Sequence, residues 1–400
     1  MTPLLAVDEA QARLLAGVAP LPLENVPFAL ALDRILAADV VATLTQPPFP
    51  ASAMDGYAIR WTDRAGPWRL IGESAAGRGF VGTVGSGETV RILTGAPFPA
   101  GADTVVVQED VARDGETVTL TGDGPPGEGA HIRRAGLDFA AGQSVARAGQ
   151  RVTPARIGAA AAAGHATVPV HRRPRVALLA TGDELVPPGV APGPDQIVSS
   201  NGAMLAALLG VHADVVDGGI VADTREGLAA AIRTHADADV LVTIGGASVG
   251  DHDLVQPVLR EMGAAIDFWR IALRPGKPML AGSLGGTRIV GLPGNPVSAF
   301  VCATLFVVPL LRALGGDPNP LPGSVPFQLG ADLVATGPRR DYLRARFERG
   351  VVTPYSSQDS AMLRVLADSN VLIVRAPFAE ASMAGTLVDC ILLDTISGVA

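Results

Sequence analysis

The amino-acid sequence predicts a multidomain α/β plus β protein with a doubly wound α/β domain at its centre. Its 400 residues are more than one typical core holds. From residue 175 onward, strand-like apolar runs alternate with helix-like segments, which predicts the doubly wound domain. Before and after this stretch, short apolar runs are separated by Gly, Pro and Asp, which indicates two β domains.

Composition narrows the class of protein. A hydrophobic content of 48% supports a large core, and aromatic residues at 4% leave the packing mainly to Ala, Val, Leu and Gly. A net charge of −8 argues against a general nucleic-acid binder. Both cysteines, Cys302 and Cys390, lie in apolar runs, which favours a reducing compartment over a disulfide scaffold. The first residues resemble no signal peptide, so we expect a cytoplasmic protein.

Helices and strands of the first half are predicted from local signals. The chain opens with a helix that Asp8 caps and that ends near Gly17, and a second short helix is expected over residues 30–37. From residue 43 to residue 147 the pattern is all-β. A small-residue helix is then expected over residues 154–164.

The second half carries the α/β pattern. Residues 175–180 form a continuous apolar run, typical of a buried parallel strand. We expect Asn201 to cap one helix and Asp223 to cap the next through a D-x-x-E capping box. Residues 297–311 are highly apolar but shorter than the ~20 residues that a membrane span needs. They predict a buried core helix with Pro296 in its first turn, and no membrane contact.

Three glycine-containing loops follow apolar strands in this half. They are ATGDEL (180–185), GGASVGDHD (245–253) and GLPGNPVSAF (291–300). Loops at the carboxyl ends of parallel strands form the ligand crevice of such sheets, and glycine N–H groups can hold an anion. Because two of the loops carry carboxylates, we favour a ligand site over simple turns. The sequence lacks a P-loop and a dinucleotide-binding glycine pattern, so neither function is supported.

The carboxylates at these loops suggest a metal. Oxygen ligands of this kind suit Mg²⁺, which often shares its coordination with substrate phosphates. Asp223 also has an alternative role as a helix cap. The six histidines are scattered, so no zinc site is predicted. The candidate ligands are Asp183, Glu184, Asp223, Asp251 and Asp253.

A compact group of cations lies in the segment WRIALRPGKP. Arg270, Arg274 and Lys277 suit a phosphate or another oxyanion. The chain has 31 basic residues, and Lys277 is its only lysine. A strong bias toward arginine removes replaceable lysines, so the one that remains indicates a site that needs a compact ammonium group. The alternative is chance survival on a solvated loop.

Two further segments, PPFPASAMDGYAIR (47–60) and RILTGAPFPAGADTVVVQED (91–110), precede ATGDEL, GGASVGDHD, RPGKP and GLPGNPVSAF, in this order. With this set of motifs the chain resembles the MoeA/gephyrin family of molybdopterin molybdenumtransferases. The resemblance implies an inserted β domain on an extended helical arm, a central α/β domain and a C-terminal β-barrel-like domain. It also implies a homodimer whose active site combines the α/β and C-terminal domains of one subunit with the inserted domain of the other.

The resemblance assigns the domains and the site residues. It predicts a helical arm (1–45 and 147–172), an inserted β domain (46–146), an α/β substrate-binding domain (173–318) and a C-terminal β domain (325–400). The matching catalytic positions are Asp55, Thr94, Asp138, Glu184, Asp223 and Asp253, of which Glu184, Asp223 and Asp253 handle Mg²⁺. The matching molybdate-binding positions are Arg270, Arg274, Lys277, Ser298, Arg349 and Ser360.

The implied reaction inserts molybdate into adenylated molybdopterin and releases AMP. The enzyme contributes positioning and charge neutralisation and needs no covalent nucleophile. One alternative is the molybdopterin adenylyltransferase of the same pathway, but that enzyme usually consists of the α/β domain alone. A second alternative is a gephyrin-like scaffold, although nothing in this sequence resembles a receptor-binding linker.

Overall fold

The computed structural model describes residues 4–245, 254–276 and 278–393. The chain divides into two compact units, Glu24–Val170 and the combination of Met1–Leu23 with His171–Ala400. Three of the predicted site residues, Asp251, Asp253 and Lys277, lie outside the described residues.

The unit Glu24–Val170 consists mainly of short strands, as its short apolar runs separated by Gly, Pro and Asp predict. Its largest sheet has six strands in the order β7-β4-β6-β5-β9-β8, and only β5 and β6 in it are parallel. The strands of this stretch are β1 (Leu23–Pro27), β2 (Val40–Val41), β3 (Ala51–Ser52), β4 (Gly56–Ile59), β5 (Trp68–Ser74), β6 (Glu88–Ile92), β7 (Thr104–Val107), β8 (Val111–Asp114), β9 (Thr117–Leu120), β10 (Ile132–Arg133), β11 (Ser144–Ala146) and β12 (Thr167–His171).

Strand β4 packs tightly inside this sheet. All four of its residues are buried. A Cβ atom added at Gly56 would lie 2.1 Å from the Val106 carbonyl oxygen, so only glycine fits there. The glycine of the MDGYA motif therefore lets β4 pack against β7, and this packing fixes the position of Asp55, the residue before the strand.

The helices of the first half are predicted with mixed success. Helix α1 (Val7–Leu15) is confirmed, and Gly17 follows it with φ +67°. Helix α2 (Pro154–Ala162) is also confirmed, with Thr153 as its N-cap. The helix expected over residues 30–37 is wrong: a single 3₁₀ turn ends at Leu30. Ile35 and Leu36 instead form isolated β-bridges to Arg151 and Val170, so strand pairing overrides the local apolar pattern.

The predicted cap of α1 is also wrong. The N-cap position is Ala6, and the Asp8 carboxylate lies inside the first turn. It accepts two hydrogen bonds from the Arg340 guanidinium, at 2.5 and 2.8 Å. This bidentate pair holds the pKa of Asp8 below its usual range. Val7, Ala10 and Leu14 are buried in the core that α1 shares with the α/β sheet.

The predicted doubly wound sheet is present in the second unit. Its strand order is β16-β13-β17-β21-β20-β18, with the first four parallel and the last two antiparallel. The strands of this stretch are β13 (Arg175–Thr181), β14 (Leu185–Val186), β15 (Ile197–Val198), β16 (Asp214–Val221), β17 (Val240–Ile244), β18 (Ala265–Arg270), β19 (Leu273–Arg274), β20 (Pro278–Leu284) and β21 (Thr287–Leu292).

Helices cover both faces of this sheet, because its strands are apolar on both sides. One buried cluster contains residues of α3, α6 and α7, and the other contains residues of α4 and α5. The helices are α3 (Ser200–Gly210), α4 (Arg225–Thr234), α5 (Val255–Glu261), α6 (Pro296–Cys302) and α7 (Val308–Leu314).

A π-helical segment, Ala303–Val307, joins α6 to α7. By length and composition, the combined helix Pro296–Leu314 could cross a membrane, and 72% of its apolar window is buried inside the protein. Its side chains belong to the main core cluster, as expected for the predicted core helix that starts with Pro296 in its first turn.

The C-terminal strands close into a barrel. The ring runs β23-β24-β22-β26-β25 and back to β23, and β19 adds to its edge by parallel pairing with β23. The predicted small β domain is therefore a closed five-stranded barrel with one added strand. Its elements are β22 (Val325–Leu329), β23 (Arg340–Glu348), β24 (Val351–Pro354), α8 (Leu363–Asp368), β25 (Val371–Arg375) and β26 (Leu387–Leu392).

Two more predicted caps are wrong. Helix α3 has Ser199 at its N-cap position, and Asn201 lies within its first turn. Helix α4 is capped by Thr224, whose hydroxyl oxygen accepts a hydrogen bond from Gly227 N at 3.1 Å, so Asp223 is not the cap. Both Asn201 and Asp223 are therefore available for other contacts.

The cap of α4 gives a first testable prediction. Replacing Thr224 by alanine should lower the free energy of unfolding by about 1 kcal/mol, because an orphan N–H group loses its partner. Asp223→Ala should change it much less, since Asp223 makes no capping bond. Chemical denaturation followed by circular dichroism would measure both values. A larger loss for Asp223→Ala would refute the assignment of Thr224.

Candidate functional site

A cavity of about 730 Å³ lies at the carboxyl ends of β13, β17 and β21. This is the edge where the glycine loops were expected to form a ligand crevice. Its walls combine apolar and polar groups, and Ala361 and Leu363 of the barrel domain contribute to them. The α/β lining comes from residues 180–182, 184–185, 197–201, 223, 244–245, 278 and 293–296.

Two predicted metal ligands, Glu184 and Asp223, line this cavity together. Their loops are tied by a hydrogen bond from Asp223 N to the Asp183 carboxylate, at 3.1 Å. Partial desolvation at the cavity wall, together with the negative charges of Asp183 and Glu184, raises the pKa of Asp223 above its usual range. A cation between these carboxylates would relieve their repulsion.

Glycine is required in the turn that presents Glu184. Gly182 has φ +149°, and a Cβ atom there would lie 2.4 Å from a Glu184 carboxylate oxygen. The turn therefore folds the Glu184 side chain back over the glycine.

The carboxylates fit a cation that takes part of its coordination from the substrate. Among the described residues, no group of three His, Cys, Asp or Glu side chains could hold a metal ion by itself. Mg²⁺ often binds through one or two carboxylates plus substrate phosphates, and Glu184 with Asp223 offers such a donor set.

Asn201, predicted from the sequence to be a helix N-cap, lies on the cavity wall. Its Nδ2 donates to the Gly294 carbonyl oxygen at 2.6 Å, which ties α3 to the loop before α6. Its Oδ1 is buried and has no hydrogen-bond partner among the described residues. A buried acceptor without a partner is costly, so this atom is an exception to the usual pairing of buried polar groups.

The predicted residue Ser360 lies where the barrel meets the start of α6. Its hydroxyl oxygen accepts a hydrogen bond from Asn295 Nδ2 at 3.2 Å, and its carbonyl oxygen accepts one from Val297 N at 3.1 Å. Ser298, in the first turn of α6, is buried with 4% of its surface exposed. The structure thus brings together the segments that carry these two predicted residues.

Arg344 supports the Ser360 loop, a role that no sequence pattern indicated. Its guanidinium is buried and donates to the carbonyl oxygens of Asp359, Met362 and Ser357, at 2.9, 3.0 and 3.5 Å. The loop therefore wraps around a buried positive charge. The Asp359 carboxylate of the same loop interacts with this guanidinium and offsets part of its charge.

Arg270 and Arg274 lie on the strands β18 and β19 that lead to the RPGKP loop. The Arg274 guanidinium is 3.7 Å from the Asp341 carboxylate of β23, and 59% of its side chain is exposed. The structure therefore leaves Arg274 accessible to a ligand while it contacts the barrel.

Arg349 lies apart from the cavity. It occupies the turn between β23 and β24, with φ +52°. It lines a separate groove of about 520 Å³ together with Arg346, Glu348 and Tyr355. The structure does not bring Arg349 to the residues that line the α/β cavity.

The unit Glu24–Val170 holds three further predicted residues. Asp55 accepts hydrogen bonds from the Thr94 main-chain N–H and hydroxyl, at 2.7 and 2.8 Å. These two bonds, with Arg91 adding a smaller effect, hold the pKa of Asp55 below its usual range. Asp138 is exposed, and its main-chain N–H donates to the Gln46 carbonyl oxygen at 3.0 Å.

Comparison with family models defines the class of this protein. Residues 5–164 match the MoeA N-terminal region (domain I and II), and residues 326–393 match the MoeA C-terminal region (domain IV). Residues 177–313, which carry the cavity loops, match the model described as a probable molybdopterin binding domain. The class is therefore that of multidomain proteins of molybdenum-cofactor biosynthesis.

Individual relatives narrow this class. Molybdopterin molybdenumtransferase 2 of Mycobacterium tuberculosis is 39% identical over 365 residues, which cover 87% of this chain and 90% of the relative. Molybdopterin molybdenumtransferase of Haemophilus influenzae is 38% identical, over 78% of both chains. A crystal structure of the molybdopterin biosynthesis MoeA protein from Pyrococcus horikoshii OT3 matches with a TM-score of 0.84 at 26% identity, covering 98% of this chain and 100% of that chain. The chain belongs to the molybdopterin molybdenumtransferase (MoeA) family, and it is a transferase.

Proposed function

We propose that this enzyme inserts molybdate into adenylated molybdopterin, with Mg²⁺-dependent release of AMP. The observation that carries the proposal is the cavity in which Glu184 and Asp223 lie together at the carboxyl edge of the sheet. Its volume of about 730 Å³ suits a ligand of nucleotide size. The family relatives named molybdopterin molybdenumtransferase point to the same reaction.

Glu184 and Asp223 would hold Mg²⁺ beside the substrate pyrophosphate, with Asp253 as the third predicted ligand. When bound, the metal supplies positive charge that offsets the charge of the pyrophosphate. The glycine loops orient the nucleotide through their main-chain N–H groups. No enzyme nucleophile is needed, because positioning and charge neutralisation carry the reaction.

Molybdate is the second substrate. Lys277 would contact it directly, and Arg270, Arg274, Ser298, Ser360 and Arg349 are the other proposed contacts. Support comes from the hydrogen bond between Asn295 and Ser360. Of these proposed contacts, Arg349 has the weakest structural support, because it lines a separate groove.

Asp55, Thr94 and Asp138 are proposed to act in the same reaction. The ionised state of Asp55, which Thr94 maintains, supports a role in binding a cation or a donor group of the substrate. The four-domain division with its boundaries at residues 45, 146, 172 and 318 also stays a prediction. We place the enzyme in the cytoplasm, with no nucleic acid or membrane as partner.

Product analysis tests this function. The purified protein is incubated with adenylated molybdopterin, sodium molybdate and MgCl₂, and the nucleotide products are separated by chromatography. We expect AMP, with little release when MgCl₂ or molybdate is omitted. A parallel incubation with ATP, molybdopterin and MgCl₂ tests the rival activity, molybdopterin adenylyltransferase. Pyrophosphate release there, without AMP release in the first incubation, would refute the proposal.

We also expect a homodimer in solution. Several apolar side chains of the unit Glu24–Val170 are more than half exposed, among them Leu30, Leu32 and Leu44. A two-fold interface is the simplest way to cover such surface. Light scattering at micromolar concentration should give about twice the chain mass of 40.8 kDa. A monomer under these conditions would contradict the expectation.

A further inference from the structure

The residues that precede Lys277 include the short strand β19, which pairs with β23 of the barrel domain. In β19, Leu273 pairs with Arg340 and Arg274 pairs with Asp341 of β23, in parallel register. Arg340 N also donates to the Ala272 carbonyl oxygen at 3.0 Å. Main-chain hydrogen bonds to the barrel therefore fix the backbone of this segment. They do not restrain the long Arg274 side chain.

Asp341 is the carboxylate that the Arg274 side chain meets. An Asp341 carboxylate oxygen lies 3.7 Å from a terminal guanidinium nitrogen of Arg274. The Asp341 side chain is only 10% exposed, compared with 59% for Arg274. The buried carboxylate is the fixed partner, and the exposed guanidinium is the partner that can move.

Other arginines surround this carboxylate. Arg375 is its cross-strand neighbour on β25, and both Arg339 and Arg375 interact with it electrostatically in addition to Arg274. Three guanidinium groups therefore outweigh the one negative charge. Asp341 can orient Arg274 without making the region repel an anion.

We propose that Asp341 is a positioning residue that holds the Arg274 guanidinium ready to bind the oxyanion. An unrestrained arginine side chain loses rotamer freedom when it binds a ligand, and restraint before binding reduces this cost. Asp341 therefore acts through Arg274 and does not touch the anion itself. This inference rests on the proposed function, because it takes molybdate as the anion.

A double-mutant cycle tests the inference. Sodium molybdate is titrated into the full-length wild type, Asp341→Asn, Arg274→Gln and the double variant by isothermal calorimetry. We expect Asp341→Asn to weaken binding about two- to fivefold, the range of a partly exposed charge pair. Because Asp341 acts through Arg274, the double variant should bind no more weakly than Arg274→Gln alone. In the AMP-release assay, Asp341→Asn should raise KM for molybdate and leave kcat unchanged.

A matched control separates positioning from stability. The Asp317 side chain is 9% exposed and lies 2.7 Å from the Arg312 guanidinium at the end of α7. Asp317→Asn removes a carboxylate of similar burial and should leave molybdate binding unchanged, even if it lowers the melting temperature. Asp341→Ser gives the same cycle if the asparagine variant does not fold.

The outcomes are distinct. Wild type that binds no molybdate would refute the proposed function, and the inference with it. Wild type that binds, with Asp341→Asn equal to it or tighter, would refute the inference alone. Additive losses in the double variant would also overturn it, because they would show that Asp341 acts independently of Arg274.

Discussion

Replacing Asp223 by alanine is expected to slow AMP release by about a hundredfold, because the proposed function makes this side chain a ligand of Mg²⁺. Glu184→Ala should have a similar effect, since both side chains line the same cavity. Neither change should lower the melting temperature much, as both side chains are exposed and Thr224 is the cap of α4. Steady-state rates at varied MgCl₂, together with thermal melting curves, would measure these effects.

Glu226 provides the matched control for Asp223. It is an exposed carboxylate in the first turn of α4, three positions further along the chain, and it does not line the cavity. Glu226→Ala should keep nearly the full rate. Equal losses in Asp223→Ala and Glu226→Ala would argue for a general charge effect and against a metal site.

Replacing Lys277 by alanine is expected to weaken molybdate binding about tenfold to a hundredfold, the value of a charge-assisted contact of roughly 1.5–3 kcal/mol. Lys277→Arg is the sharper test, because it keeps the charge and follows the arginine bias of the chain. We expect it to be impaired at limiting molybdate, since a planar fork replaces a compact ammonium group. Calorimetric titration with sodium molybdate would measure both variants.

Arg288→Ala is a suitable control for Lys277. Arg288 lies at the start of β21, and the cavity lies at the carboxyl end of that strand. Its loss changes the net charge equally but should leave molybdate binding unaffected. If the Lys277→Arg variant bound molybdate as tightly as wild type, the single lysine would be a chance exception to the arginine bias.

The sequence predicted the order of the α/β and β segments well, because these depend on apolar periodicity over many residues. The buried run of β13 and the long helix from Pro296 to Leu314 are examples. Helix caps were predicted poorly. Asp8 binds Arg340, 332 positions away, and Asn201 binds Gly294, 93 positions away, so distant partners decide what these polar side chains do.

The sequence predicted those residues of the candidate site whose positions are determined by the ends of strands. Glu184 and Asp223 follow neighbouring parallel strands, β13 and β16, so topology alone brings them together. Arg344 was missed because its role depends on the carbonyl oxygens of a folded loop, which leave no sequence pattern. Asn295 was not predicted as a site residue, because its partner Ser360 lies 65 positions away in the barrel domain.

The most direct test of the proposed active site is a crystal structure of the protein soaked with sodium molybdate and AMP, with anomalous data collected at the molybdenum edge. We expect the AMP phosphate beside Glu184 and Asp223 and a molybdenum signal beside Arg274 and Ser298. AMP outside this cavity, or a molybdenum signal confined to the groove of Arg346 and Arg349, would contradict the proposed site.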